Sequence, residues 1–443
     1  MKLVRPKRAR RSSRPWVIPP GLLVLPEPFE GFQVLDETRS ELGVLLWQSL
    51  RDVDLWAATP PEARPDLFTP NALGIRRLRI AAELAADSPI RLLLEGISEV
   101  LSPSPGAGDT QLSELCESVS RWASDMEWPR TALAFAQRSA LAAPEMAGPA
   151  YLVALVARRS ADYRRSETWF RRALALARRN QDWKYYGLAH MGLANLHMQR
   201  GDAPSARARL LRALRAARRY GVWSVRPFAL HDLFCIAATA SGTNGEQAEA
   251  YARAAYRGYG RRHPRLPALA HDVAWFWMLR HDFERALPVF RAVLRHVPRP
   301  TERMVVLSNV ARAAAGAGDL HGFESAWKDV WRLRETRTDG ERVAEAMVNL
   351  AHGALAAGDL TRLEMAASHA VRVATLRDEA QHRMAAEDLL ARGKGMTPRR
   401  RRGRGRGARQ RPPLPPLRPA EASPADRLAS ALVQALQEVP VEP

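Results

Sequence analysis

A turn ending in aspartate returns along this chain at Asp162, Asp202, Asp282, Asp319 and Asp359, at intervals of 40, 80, 37 and 40 residues. The residues just before them are Ala161, Gly201, His281, Gly318 and Gly358. Glycine accepts the backbone angles that a tight turn requires. Apolar residues flank each turn at helical spacing. Met191, Leu193, Ala194 and His197 precede Gly201-Asp202, and Ala206, Leu210 and Ala213 follow it at i, i+4 and i+7. The interval of 80 holds a degenerate copy near Ser241-Gly242, where the aspartate is missing. Two helices joined by such a turn cannot bury their apolar faces alone. They need neighbours of the same kind, so the pattern predicts stacked helical pairs.

Each turn is followed by a small residue and, four later, a bulky one: Ser166 with Phe170, Ala206 with Leu210, Ala286 with Phe290. Ala173, Ala213 and Val293 come three residues further on, and Pro298 closes one copy. An upstream copy is marked by Ala132, Ala136 and Pro144. This pattern resembles the tetratricopeptide repeat (TPR), W-x2-L-G-x2-Y, then A-x3-F, then P. The period near 40 resembles the extended repeats of bacterial regulatory proteins. The pattern departs from the family in lacking the first-helix Trp and in placing Phe323 and Leu363 where a small residue belongs. The resemblance covers 113–392. It implies an all-α fold, a right-handed α-solenoid of TPR-like repeats with a helical N-terminal cap and disordered tails.

The remaining segments follow from composition. Residues 1–32 are basic and proline-rich without periodicity and read as disordered. Residues 33–101 read as a helical module: Leu35, Leu42, Leu46, Leu50, Val53 and Trp56 recur near helical spacing, and Pro60-Pro61 ends that helix. The segment AELAADSPIRLLLEG is too short between its ends for a DNA-reading helix-turn-helix, so the module reads as a cap for the first repeat. Residues 102–112 read as a linker. Residues 393–443 read as a disordered Arg/Gly- and Pro-rich tail, with a short amphipathic helix at 424–438 through Leu428, Leu432 and Leu436. Two cysteines, no apolar run long enough to span a bilayer and no cleavage site after the interrupted apolar stretch 16–26 point to the cytoplasm.

The net charge of +20 is uneven. Residues 1–14 hold seven basic side chains and no acid, and residues 399–411 hold eight arginines and no acid. The span 158–219 holds sixteen basic and four acidic residues, while arginine outnumbers lysine 62 to 5 overall. Arg164, Arg171 and Arg178 are spaced by seven, with Arg165, Arg172 and Arg179 one residue later, and Arg212, Arg218 and Arg219 fall at equivalent sites in the next repeat. These stripes, with Arg399, Arg400, Arg401, Arg402, Arg404 and Arg406, are candidate contacts for a polyanion, including non-specific nucleic acid through the tail. The tail lacks the interleaved aromatics that would add base stacking. A solvated basic face and an Arg-rich codon usage are the plainer explanations.

Chemistry is not written in the chain. Among eleven histidines there is no H-E-x-x-H and no Cys/His metal spacing, and no phosphate-binding glycine loop or nucleophile elbow occurs. No enzymatic activity, cofactor or metal is expected. The resemblance instead implies a scaffold or regulatory adaptor that docks a protein or peptide in a groove lined by the first helix of each pair. The lining residues it implies are Tyr151, Leu155, Arg158, Met191, Asn195, Met198, His271, Trp275, Met278, Arg312 and His352. The family's lysine–asparagine carboxylate clamp is not reproduced, since Tyr151 stands where its first lysine would be. Asn195 and the flanking arginines remain able to hold a carboxylate loosely.

Overall fold

In the computed structural model the described residues are 32–102, 108–239, 245–335, 342–377, 379–396 and 423–438. The basic segment 1–31, the degenerate turn at Ser241-Gly242 and arginines 399–406 lie outside them. Among the described residues every regular element is helical, and the chain divides into two compact units, Met1–Asp232 and Leu233–Pro443.

The first unit begins with α1 (Gln33–Glu37), α2 (Glu41–Ala58), α3 (Pro70–Glu83) and α4 (Pro89–Val100). It continues in pairs: α5 (Asp109–Asp125) with α6 (Pro129–Ala142), α7 (Ala147–Arg159) with α8 (Tyr163–Arg179), and α9 (Trp183–Gln199) with α10 (Ala203–Tyr220). Residues 33–101 share a core with the first pair, in which Val34, Leu46, Leu50 and Leu94 pack with Leu112, Cys116 and Phe135. Two polar contacts fix this arrangement. Glu37 accepts from the backbone N–H of Arg130 and Thr131 and from the Thr131 hydroxyl, each at 2.8 Å, so a carboxylate from α1 caps the positive end of α6. Arg138, 1% exposed, grips Asp54 of α2 with both arms of its guanidinium, at 2.9 and 2.6 Å.

α11 (Val225–Thr239) spans the division at residue 232. The second unit continues with α12 (Gly245–Tyr259), α13 (Leu266–Leu279), α14 (Phe283–Val293), α15 (Pro300–Gly316), α16 (Leu320–Glu335), α17 (Val343–Ala357), α18 (Leu360–Leu376) and α19 (Ala380–Met396). After residues 397–422 comes α20 (Pro424–Glu438), which packs on α13 and α14.

The repeating turn has one construction. The residue before each aspartate is left-handed: Ala161 at φ 61°, Gly201 at 76°, His281 at 61°, Gly318 at 81° and Gly358 at 74°. Each aspartate N–H then donates to the carbonyl five residues back, at 2.9 Å in all five turns. That bond closes the preceding helix with a Schellman motif. The same aspartate opens the next helix. Asp162, Asp202, Asp319 and Asp359 accept from the backbone N–H three residues on, at 2.8–3.1 Å. Asp182 caps α9 in the same way from between repeats, accepting from Tyr185 at 3.1 Å.

The small positions of the second helices are fully buried: Ser166, Ala206 and Ala286 are 0% exposed. Ser166 disposes of its hydroxyl on the Ala154 carbonyl of the partner helix at 2.8 Å. Phe323 and Leu363, large at this position, are buried at 2% and 1%. The room comes from the facing helix. A Cβ on Gly353 would sit 3.1 Å from Phe323, and one on Gly393 would sit 2.7 Å from Leu363. No helix among the described residues is long and apolar enough to cross a membrane.

Candidate partner-binding faces

Position seven before the turn aspartate is the candidate binding position on the first helix of each pair. Leu155, Asn195, Trp275, Arg312 and His352 occupy it, and all five are half-buried while both chain neighbours of each are buried. One residue of each first helix therefore reaches the surface at this register.

In the second unit the face runs over α13, α15 and α17. His271 Nε2 accepts from Asn309 Nδ2 at 3.1 Å, which places the ring proton on Nδ1, where Asp272 Oδ1 accepts at 3.2 Å. Asn309 is 1% exposed, and its Oδ1 has no hydrogen-bond partner among the described residues. Arg312 donates to Asn349 Oδ1 at 3.1 Å and makes no ion pair among the described residues. Burial lowers its pKa to about 10, so it stays charged at neutral pH. His352 is pushed down to about 4 by burial first and by the Arg312 and Arg392 cations next. It is a neutral imidazole beside a cation. The close approach of α15 and α17 builds this pair, since a Cβ on Gly353 would lie 3.2 Å from the Arg312 Cα.

In the first unit Tyr151 packs tilted against Phe170 and Tyr185, with ring centroids 5.7 Å apart in each case. Arg158, Asn195 and Met198 are half-buried, and the Arg158 Nε is buried without a hydrogen-bond partner among the described residues. Two groove assignments need correction. Met278 is 1% exposed and Met191 8%, so both pack between helices rather than line a surface. Their side chains fall four residues before Asp282 and eleven before Asp202, on the side of the first helix that meets its neighbours.

Asn309 and Asn349 were not among the expected residues. Both stand ten residues before a turn aspartate, 40 apart, and that recurrence was the available signal. It was concealed because the family pattern directs attention to large and aromatic residues.

The arginine stripes divide in two. On α8, Arg171 pairs with Glu167 at 2.5 Å, Arg165 with Asp162 at 3.1 Å, and Arg179 with Glu145. Arg172 is 7% exposed and donates to the Pro144 carbonyl at 2.8 Å, so it points inward and leaves the supposed surface stripe. On α10, Arg212, Arg215 and Arg218 make no ion pair among the described residues and line one open groove with Ala208, Leu211 and Leu214. Beside them Trp183 and Tyr220 stack face to face with centroids 3.8 Å apart, Arg219 lies over the Tyr220 ring, and Trp223 is 60% exposed. Burial and the nearby Arg212 and Arg171 lower the pKa of Arg209, the mark of a crowded set of like charges. His190 and His197 hold no common ligand position. His190 is buried and held neutral, with a pKa near 3 from burial and from Arg209 and Arg212, while His197 faces Asp202 at 3.2 Å.

Comparison with solved structures places helical-repeat proteins beside this chain. BtubC (BKLC) from P. vanneervenii is similar over 51% of this chain and 93% of its own, at 20% identity and a TM-score of 0.39. The APC/C hetero-tetramer Cut9-Hcn1 is similar over 81% of this chain and 65% of that one, at 13% identity and 0.44. The TPR2AB domain of yeast Sti1 in complex with pHSP90 is similar over 64% of this chain and 98% of its own, at 12% identity and a TM-score of 0.24. No family model matches the chain, and no curated protein matches it. The all-helical, TPR-like repeat architecture therefore stands on the Asp-capped helix pairs themselves, and function does not follow from the fold.

Proposed function

We propose that this chain is a protein-interaction scaffold whose second unit holds an extended acidic peptide along α13, α15 and α17. The observation that supports this most is Arg312. It is a half-buried cation whose hydrogen-bonding partner among the described residues is an amide, flanked by an imidazole that burial keeps neutral. A carboxylate is the group that satisfies it, through charge-assisted hydrogen bonds. His271 of α13 adds a polar group one helix away, held in place by the buried Asn309, and Trp275 offers the flat apolar surface that anchors peptide side chains. The test pans a displayed library of random decapeptides with free C-termini against the full chain. Enriched peptides carry a carboxylate at one fixed position, and Arg312→Gln weakens them by about tenfold to hundredfold, from the roughly 1.5–3 kcal/mol of a hydrogen bond to a charged group. Equal binding by Arg312→Gln overturns the reading.

A second reading belongs to the outer face of α10. Arg212, Arg215 and Arg218, without acidic partners among the described residues and on the helix that ends in the Trp183–Tyr220 stack, suit a polyanion such as single-stranded nucleic acid. Binding of a labelled oligonucleotide then falls steeply with salt and falls further in Arg212→Ala/Arg215→Ala/Arg218→Ala. A salt-insensitive affinity, or one lost only on deleting 399–411, removes α10 from consideration.

A further inference from the structure

α20 is not a repeat. It follows 26 residues that hold the arginine-rich segment, and it lies against helices far earlier in sequence. Leu428, Leu432 and Leu436 are buried at 4%, 0% and 1%, with Ala425, Ala429 and Ala435 beside them, while Arg427, Ser430, Gln434 and Gln437 face outward. The helix is closed at its start by a capping box, in which Ser423 Oγ accepts from the Asp426 N–H at 3.1 Å and Asp426 accepts from the Ser423 N–H at 3.0 Å.

The slot that receives it is equipped for a helix at both ends. Arg285 of α14 donates from Nε to Asp426 at 2.6 Å. Arg261 pairs with Glu438 at 2.8 Å, and His296 Nε2 donates at 2.6 Å to the Leu436 carbonyl, one of the last-turn acceptors that a helix leaves open. Tyr256 reaches the Ala431 carbonyl at 3.3 Å. Asp282, N-cap of α14, is the only one of the five turn aspartates whose side chain caps no backbone N–H of its own helix; it pairs with Arg285, as Asp162 and Asp359 pair with Arg165 and Arg362, and here that arginine also holds Asp426 of α20.

We propose that α12, α13 and α14 form a receptor for an amphipathic helix, that α20 is its tethered resident, and that a partner protein presenting a helix with an N-terminal acid and leucines at i, i+4 and i+8 takes its place. Three leucines and three alanines are a small apolar payload against the ordering of a fifteen-residue helix. The tether compensates, because a linker of this length presents α20 at an effective concentration on the order of millimolar. Occupancy is thus set by competition and not by affinity alone. This inference does not rest on the groove reading, and Arg312→Gln leaves it untouched.

The experiment uses a labelled peptide of residues 423–438 and the full chain. The peptide binds full-length Leu432→Asp, whose own helix no longer fits, at least about tenfold more tightly than it binds the wild type, where the resident competes. In full-length Leu432→Asp/Arg285→Asp, the peptide carrying Asp426→Arg binds better than the unaltered peptide. In the wild-type chain, millimolar isotope-labelled peptide raises deuterium uptake across 424–438, a measurement that needs no variant to fold. Equal binding to wild type and Leu432→Asp, equal binding of a scrambled peptide, or unchanged uptake at 424–438 overturns the proposal.

Discussion

At the scale of single residues the turn aspartate serves two helices at once. Its N–H finishes the preceding helix and its carboxylate starts the next. Asp359→Ala removes the cap on the Arg362 N–H and is expected to lower stability by about 1 kcal/mol, read as a urea midpoint. Ala161 and His281 sit at φ 61°, where a Cβ is strained. Ala161→Gly is therefore expected to stabilise by about 0.5–1 kcal/mol where Gly201→Ala destabilises; a loss of stability in Ala161→Gly contradicts the strain. The periodic aspartates were legible in the sequence, yet Asp182 was not. Its left-handed partner is Gln181 at φ 57°, which carries no glycine signal, and it falls between repeats where no period points to it. Asp52 was invisible for another reason. It lies buried on α2, opposite Arg76, and burial raises its pKa to about 6, against the lowering by Arg76. The folded state thus holds its proton more tightly than the unfolded chain. Its contribution is full below about pH 4 and is lost as pH rises through 6, so Asp52→Asn should flatten the decline in stability over that window. Asp426 has the opposite sign. Arg285 first, then the capping box, holds it near 2, so its share of α20 docking is present above pH 4 and fades toward pH 2.

At the scale of elements, large and small residues exchange places across helix pairs. The expected order, small on the second helix, holds at Ala206 and Ala213, both 0% exposed. Ala206→Arg should overpack this contact and cost a few kcal/mol, about the range for bulky insertions into a packed core; an unchanged melting temperature would show that the register is wrong. At Phe323 and Leu363 the order is reversed, with glycine on the facing helix. Volume, and not residue type at one position, is conserved across the contact, and a single-helix pattern cannot express that. Gly192→Ala tests it directly, because the new Cβ would lie 2.2 Å from Phe170, and circular dichroism melting should fall sharply. The inner face was half legible. Of the residues that the resemblance implied, Asn195, Trp275, Arg312 and His352 are half-buried at the position seven before the aspartate, whereas Met191 and Met278 lie inside. Asn309 and Asn349 escaped because buried amides leave no trace in hydrophobic periodicity.

At the scale of the whole chain the helical repeats are joined mostly by contacts between sequence neighbours, and the exceptions lie at its two described ends. Arg138 of α6 reaches Asp54, 84 residues back, and is almost fully buried. Arg138→Ala should cost about 3–5 kcal/mol, as breaking a buried pair leaves Asp54 uncompensated; a loss below about 1 kcal/mol would mean that water already reaches the pair.

The cap that Glu37 places on α6 sets an order of events. It joins residues 94 apart in sequence, and the α20 contacts join residues 140 to 177 apart, whereas a helical hairpin closes within about 40. Loops close more slowly as sequence separation grows. Refolding from urea should therefore show a fast phase for the hairpins and slower phases for the two ends. Glu37→Gln should retard one slow phase and Leu432→Asp should abolish another, each leaving the fast phase alone. During synthesis Glu37 leaves the ribosome long before α6 exists, whereas α20 emerges after every helix it binds. The first contact must wait for its partner, and the second finds its partner already in place.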